Sequence, residues 1–268
     1  MTKSPSKIYS QHVANLRELE LAISHAGRLA RSEIASKDPQ QSLRSLLRLY
    51  SFLIGAWAET RLKKLLHEEV GFNDAERLLI AAKSSQLEQW QETIDLAFRK
   101  HHKITKANLD KRTLGVAHAA RRTALHDVLS NELKIIVEIR NKLAHGQWVY
   151  PFNNEGTSVE SEKYKLINKE NLQSLQFKFA LLGHLATVVH DLVVSPLTFQ
   201  RDFDNHFRKL FQVRTNLKTK KYENYANGLI KSREDARSKK NIPKKLSIKT
   251  SSARPNFFSR LRLRIFRK

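Results

Sequence analysis

The chain contains no cysteine. Disulfides, thiolate metal sites and cysteine nucleophiles are therefore excluded, and the absence suits a reducing compartment, with the cytosol as the expectation. Glycine and proline are scarce, 8 and 6 among 268 residues, too few to furnish the many turns of a β sandwich. Neither G-x-x-x-x-G-K-[ST] nor G-x-G-x-x-G occurs, which removes the usual phosphate loops of P-loop and dinucleotide-binding proteins. There is no H-E-x-x-H and no other local cluster of ligand residues, so neither a metal nor a cofactor is expected. The start, Met1 to Tyr9, lacks the apolar stretch of a secretory signal. The most apolar window, Leu181 to Val194, carries His184, His190 and Asp191 and is shorter than the about 20 residues a membrane span needs, so a soluble chain is expected.

Acidic residues are also in short supply: 26 Asp and Glu face 49 Lys and Arg, a net charge of +23. An excess of that size exceeds what solubility requires and favours a polyanionic partner. It is unevenly spread. From Thr215 to Lys268 there are 17 Lys or Arg against 3 acids, a balance of +14, and the stretch Phe257 to Phe266 interleaves apolar with basic residues. The expected organisation is a helical domain over 7–211 followed by a basic C-terminal arm over 212–268, partly disordered or helical. Nucleic acid is one partner for such an arm, and an anionic membrane surface is another.

Helical periodicity dominates the rest, and an all-α bundle follows. One helix is predicted over about 7–36. Asp38-Pro39 supplies an N-cap and a first helical position for the next, in which Leu43, Leu46, Leu47, Tyr50, Leu53, Ile54, Trp57 and Leu65 form one stripe, with Gly71 as its end. Arg61 sits within that stripe, where a packed stem and a paired head are expected. Glu59 lies on the opposite, incompletely polar side beside Phe52 and Ala56, a face that could meet a second protein. Asn73-Asp74-Ala75-Glu76 reads as a capping box. Further helices are predicted over about 87–99, over 114–145 with a break near Ser130, and from Asn168 to a closing Pro196, with loops over 101–112 and 150–162.

Within the long segment, Val137-Glu138-Ile139-Arg140-Asn141-Lys142-Leu143-Ala144-His145-Gly146 combines groups suited to acid–base chemistry on a polyanion. Spacing alone does not single it out. Arg121/His126 and Arg201/His206 share its interval, and Arg61/His67 and Arg112/His118 are one residue wider. The context is distinctive: Asn directly after Arg, a small residue before His, and a helix-stopping Gly after it. The segment resembles the R-x(4–6)-H signature of HEPN ribonucleases, with Arg140, Asn141 and His145 matching position by position, and the resemblance covers about residues 7 to 200.

That resemblance implies a metal-independent endoribonuclease, active as a homodimer on RNA, of the kind found as toxins in toxin–antitoxin and anti-phage systems and often restrained by an antitoxin or regulatory partner. Arg140, Asn141 and His145 are the expected catalytic set. An imidazole, with an ordinary pKa of about 6.5, exchanges protons near neutrality. Arg140 would stabilise phosphorane charge through paired donors, and Asn141 would orient His145 or the phosphate. In a regular helix Asn141 and His145 share a face, whereas Arg140 and His145 point about 140° apart. A distorted helix end or a second copy across a two-fold axis is needed to bring the set together. Two alternatives use the same residues differently. Arg140 can be a helix–helix salt-bridge residue and His145 a partner of the helix dipole, in a non-catalytic HEPN-like module that binds nucleic acid or protein.

Overall fold

A computed structural model of the chain describes residues 6–36 and 40–241. The described part is helical, its one β feature being an isolated bridge between Phe152 and Val159. Eleven helices follow in order: α1 (Lys7–Ile34), α2 (Gln40–Leu66), α3 (Asp74–Ala81), α4 (Gln86–His102), α5 (Lys111–Leu114), α6 (Val116–Val128), α7 (Lys134–Ala144), α8 (Ser161–Lys169), α9 (Leu172–Val194), α10 (Pro196–Thr219) and α11 (Tyr222–Asn241). The all-α class read from composition is the class observed. The Asp38-Pro39 helix start lies outside the described residues, as do 242–268.

Local chemistry sets most boundaries. Ser6 caps α1 by accepting from the Tyr9 N–H. Asn73 and Glu76 form the reciprocal capping box at α3, and Asn171 with Ser174 repeats the device at α9, each satisfying N–H groups that a helix start leaves unpaired. The break expected near Ser130 is a π-helical turn, Leu129–Leu133, joining α6 to α7 without a loop.

Several boundaries differ from the sequence reading. Helix α2 stops at Leu66, and the chain turns through residues 67–72 before α3, so Gly71 lies beyond the helix it was expected to end. Residues 161–169 form α8 where the start of the expected helix was placed near Asn168. Pro196 opens α10 as its first residue, because a missing N–H costs nothing there. Helix α10 then runs unbroken to Thr219, through the boundary expected at 211/212, and α11 returns to α1 and α9, with Arg233 Nη1 donating to the Ser32 carbonyl at 2.8 Å and Tyr225 donating to Gln176 at 3.1 Å.

The core joins α1, α2, α4, α9 and α10 around Tyr50, Ile54, Trp57, Trp90, Phe98 and Phe199. Helix α9 is the central strut. Its 23 residues are long and apolar enough to cross a membrane by length and composition alone, a longer run than the 181–194 window. In this fold its apolar side chains, Leu175, Leu182, Leu185, Val189 and Leu192 among them, are buried in the bundle. Arg61 is surrounded by Glu68, Glu20 and Asp191; burial lowers its pKa and these carboxylates partly restore it.

Candidate functional site

Helix α7 carries Arg140 and Asn141, with His145 at its end, and its two faces do different work. Ile139 and Leu143 form a small apolar cluster with Ile167 of α8, against which Phe52 of α2 packs. The second face of α2, which the sequence offers to another protein, is thus covered by α7 of the same chain. The approach is close at Gly55: a Cβ built there would sit 2.7 Å from Arg140 Cγ and 3.5 Å from the Ile136 carbonyl oxygen.

Arg140 is consequently held across α2, α4 and α7. Its Nη2 donates to Glu59, in an ion pair, and to Gln86 Oε1 at 3.0 Å, while Nη1 donates to Asn141 Oδ1 at 3.0 Å. Glu59 also pairs with Lys63 at 2.6 Å. Burial pushes the Glu59 carboxyl up, but the hydrogen bond from Lys63 and the charge of Arg140 outweigh it and hold the group below its ordinary range. Glu59 thus contacts Arg140 directly. Two buried donors here, Arg140 Nε and Gln86 Nε2, have no acceptor among the described residues.

The helix ends at its expected signal. His145 occupies the C-cap, its N–H donating to the Asn141 carbonyl at 3.1 Å, and Gly146 follows with φ +75°, a conformation glycine adopts without penalty. Trp148 Nε1 donates to the Leu143 carbonyl at 2.9 Å, satisfying one of the last acceptors of α7. Asn141 and His145 are exposed on one side of this end. They line an open cleft of about 520 Å³ with Glu138, Lys142, Gln147, Asn153, Asn154 and Lys163.

The far wall of that cleft is built by the segment between α7 and α8. Lys142 is anchored to it, bonding the Phe152 carbonyl and pairing with Glu160 at 2.5 Å; Glu160 also pairs with Lys163. Arg48, which sequence periodicity did not single out, fixes the base. Its side chain is buried, with Nε donating to the Trp148 carbonyl at 3.2 Å, Nη1 to the Ile167 carbonyl at 2.5 Å and Nη2 to Asn168 Oδ1 at 2.8 Å. Burial lowers the Arg48 pKa, and Glu170 opposes that shift.

Of the three residues expected to act together, Asn141 and His145 share the cleft and Arg140 touches it through Asn141. No hydrogen bond joins Arg140 to His145 within the chain, as the 140° separation on the helix requires. The other Arg/His pairs at similar spacing point to separate structural tasks. His126 Nε2 lies 2.8 Å from Asp95, which Arg122 grips with two 2.7 Å bonds. Arg121 packs on Phe199 and Phe203 and faces Asp204 at 3.5 Å. Arg201 pairs with Asp202.

The fold also assembles a group that the sequence does not show as a cluster. His101 and His102 at the end of α4 meet His118 in the first turn of α6, ring nitrogens of all three lying within 4.8 Å of one another. The expectation of no clustered ligand set is corrected to that extent: fifteen residues separate His102 from His118, and only the packing of α4 on α6 unites them.

No family model, no curated protein and no solved structure matches the chain.

Proposed function

We propose that this protein is a metal-independent endoribonuclease of the HEPN type, acting in the cytosol as a homodimer and serving as a toxin or anti-phage effector. The observation that carries the reading is the exposed pairing of Asn141 with His145 in one polar cleft, beside an arginine fixed from behind. In the proposed reaction one imidazole takes the proton of a ribose 2′-OH as that oxygen attacks the adjacent phosphorus. The bond from phosphorus to the 5′ oxygen breaks, and a proton donated to that oxygen completes a 5′-OH product beside a 2′,3′-cyclic phosphate. The nucleophile belongs to the substrate, so no metal-bound water is needed.

Two imidazoles, one as base and one as acid, serve this reaction better than one. A second copy supplies the other. Support for that arrangement comes from the surroundings of the cleft, where Val149, Tyr150, Val159, Tyr164 and Leu166 are exposed on the wall segment and α8, with Tyr150 stacked on Tyr164 at 5.7 Å. Apolar side chains exposed together suit an isologous interface. The test is cleavage of RNA by the purified chain in the presence of a chelator, with product ends analysed: cyclic phosphates from the wild type and their loss in His145→Ala support the assignment, and full cleavage by His145→Ala ends it.

One observation favours a second reading, a non-catalytic HEPN-like binding module. Three partners, Glu59, Gln86 and Asn141, already occupy Arg140, as a helix–helix salt bridge requires. RNA binding that persists without any cleavage would select it.

A further inference from the structure

We propose that His101, His102 and His118 form a binding site for a divalent transition-metal ion, with Zn²⁺ the best fit, that ties the C-terminal end of α4 to the first turn of α6. The site is separate from the cleft at His145 and does not depend on the ribonuclease reading.

The ligand chemistry selects the ion. Three imidazoles and no carboxylate suit Zn²⁺, Cu²⁺ or Ni²⁺ and do not suit Mg²⁺ or Ca²⁺, which demand oxygen ligands. Zn–N bonds of about 2.0–2.1 Å in a tetrahedron place nitrogens ~3.3 Å apart. The three rings already hold nitrogens within 4.8 Å, so a change of side-chain torsions of half-buried residues closes the remaining gap of about 1.5 Å. Ring centroids are 4.7 Å apart for His101 and His102, 4.5 Å for His102 and His118, and 5.7 Å for His101 and His118. A site with three protein ligands leaves the fourth position to water.

A second observation points to a missing partner. Nε2 of His102 and Nδ1 of His118 are buried and make no hydrogen bond among the described residues, a condition that native proteins mostly avoid. An ion bound between the rings would satisfy lone pairs that no other described residue reaches. His101 Nε2 accepts from the side-chain amide nitrogen of Gln200 at 2.9 Å, at the start of α10, so ligation by His101 requires that amide to turn and present its oxygen to a ring N–H, the outer contact that fixes a ligating ring. Phe98 flanks both His102 and His118, at 6.4 and 6.5 Å between centroids, and limits water on that side.

The protonation state agrees. Burial lowers the pKa of all three histidines, and mutual repulsion adds to the effect at His102 and His118. At neutral pH the rings are therefore in the unprotonated, ligating form. Arg121, in the next turn of α6, lowers the His118 pKa further, and as a like charge it would repel a bound cation. Its guanidinium is turned towards Asp204 and the face of Phe203, which weakens that repulsion.

The experiment is titration of the full, untagged chain with Zn²⁺ alone, by calorimetry and by long-range ¹H–¹⁵N spectra of the histidine rings. One ion per chain is expected, with the rings of His101, His102 and His118 moving and the melting temperature rising, since the ion binds the folded state. His102→Ala and His118→Ala should each weaken binding roughly tenfold or more, while His12→Ala, which removes one ring of the stacked His12–His67 pair, should leave it unchanged. Absence of binding, or affinity untouched by both substitutions, overturns the site. The ring spectra need no variant: should either substitution unfold the chain, movement of other histidines in the wild type is equally decisive against it.

Discussion

Gly55 and Arg140 face each other where α2 crosses α7, so closely that a β-carbon on Gly55 would stand 2.7 Å from the Arg140 Cγ. The glycine is there for space. It lets the arginine stem lie against the α2 backbone and deliver one guanidinium nitrogen, Nη2, to both Glu59 and Gln86.

Gly55→Ala should therefore destabilise the fold, although alanine is the better helix former by about 1 kcal/mol. Over-packing a tight contact costs typically 1–3 kcal/mol, so the expected net loss is about 0–2 kcal/mol, with Arg140 displaced. Chemical denaturation measures the first and cleavage rate the second. A stabilised variant with unaltered activity would show that α2 and α7 are not so closely apposed.

Helix geometry and the grip on Arg140 together predict distinct phenotypes within the motif. His145→Ala should lower cleavage at least about a hundredfold with little change in stability, because an exposed acid–base group is lost. Arg140→Ala should lower cleavage by a similar factor and also reduce stability, because Glu59 and Gln86 lose their partner. Mixing the two variants tests the dimer. Recovery of activity means that one cleavage event draws on both protomers, whereas no recovery means that each protomer works alone.

Glu59→Gln separates positioning from charge. It keeps the shape of the contact and removes the ion pair, and Lys63 loses its partner too. If Glu59 serves only to aim Arg140, activity should fall several-fold with the melting transition nearly unchanged, since a partly exposed pair contributes about 1 kcal/mol or less. Activity equal to wild type removes Glu59 from the site.

Acid stability should depend on Glu68, far from the cleft. Burial raises its pKa, but the hydrogen bonds and charges of His190 and Lys64 prevail and hold it at about 2; Tyr9 also donates to it at 3.2 Å, and Arg61 lies nearby. A depressed carboxyl pKa contributes stability that is present above the unfolded value and lost as pH falls towards the folded one. The stability gap between wild type and Glu68→Gln should thus be widest above pH of about 5 and close as pH approaches about 2. Its size is at most on the order of 3 kcal/mol. A gap that is constant across this range contradicts the assignment.

The basic end of the chain should add affinity without serving the chemistry. Helix α11 is docked on α1 and α9, so the appropriate deletion starts after Asn241. Residues 242–268 hold nine Lys or Arg and no acid. Removing them should flatten the slope of log K against log salt for RNA, with each lost phosphate contact worth about 0.7 for a single strand. Melting temperature should be unchanged. An unaltered slope assigns the segment another partner, such as an anionic membrane.

Much of this fold was legible because its signals are local. The Asn73–Glu76 capping box, the break near Ser130 and the stop at Gly146 each rest on residues within one turn of one another. The exposed pair Asn141 and His145 was legible for the same reason. Other features depend on partners far along the chain. Arg48 reads as a solvated arginine until α8 supplies the Ile167 carbonyl and Asn168, and Gln86 is an ordinary first-turn residue until Arg140 reaches it. Pro196 can close one helix or open the next, and the sharp turn at Ser195 decides for the second. The histidine trio is invisible to spacing because its members belong to helices whose packing sets the distance.

The π turn at Leu129–Leu133 fixes the orientation of everything after it. Such a turn accommodates one residue more than an α-helical turn, and one residue is about 100° of helical rotation. Upstream, α6 presents Arg122 and His126 to Asp95 on α4; downstream, α7 presents Arg140 to Gln86 on the same α4. Excising one residue, Ser130 for instance, would restore α-helical continuity and turn Arg140, Asn141 and His145 together by that angle, leaving the motif spelled as before but aimed away from its cleft. The extra residue works as an angular setting, and the direction in which the motif's side chains point depends on a count made ten residues before it begins.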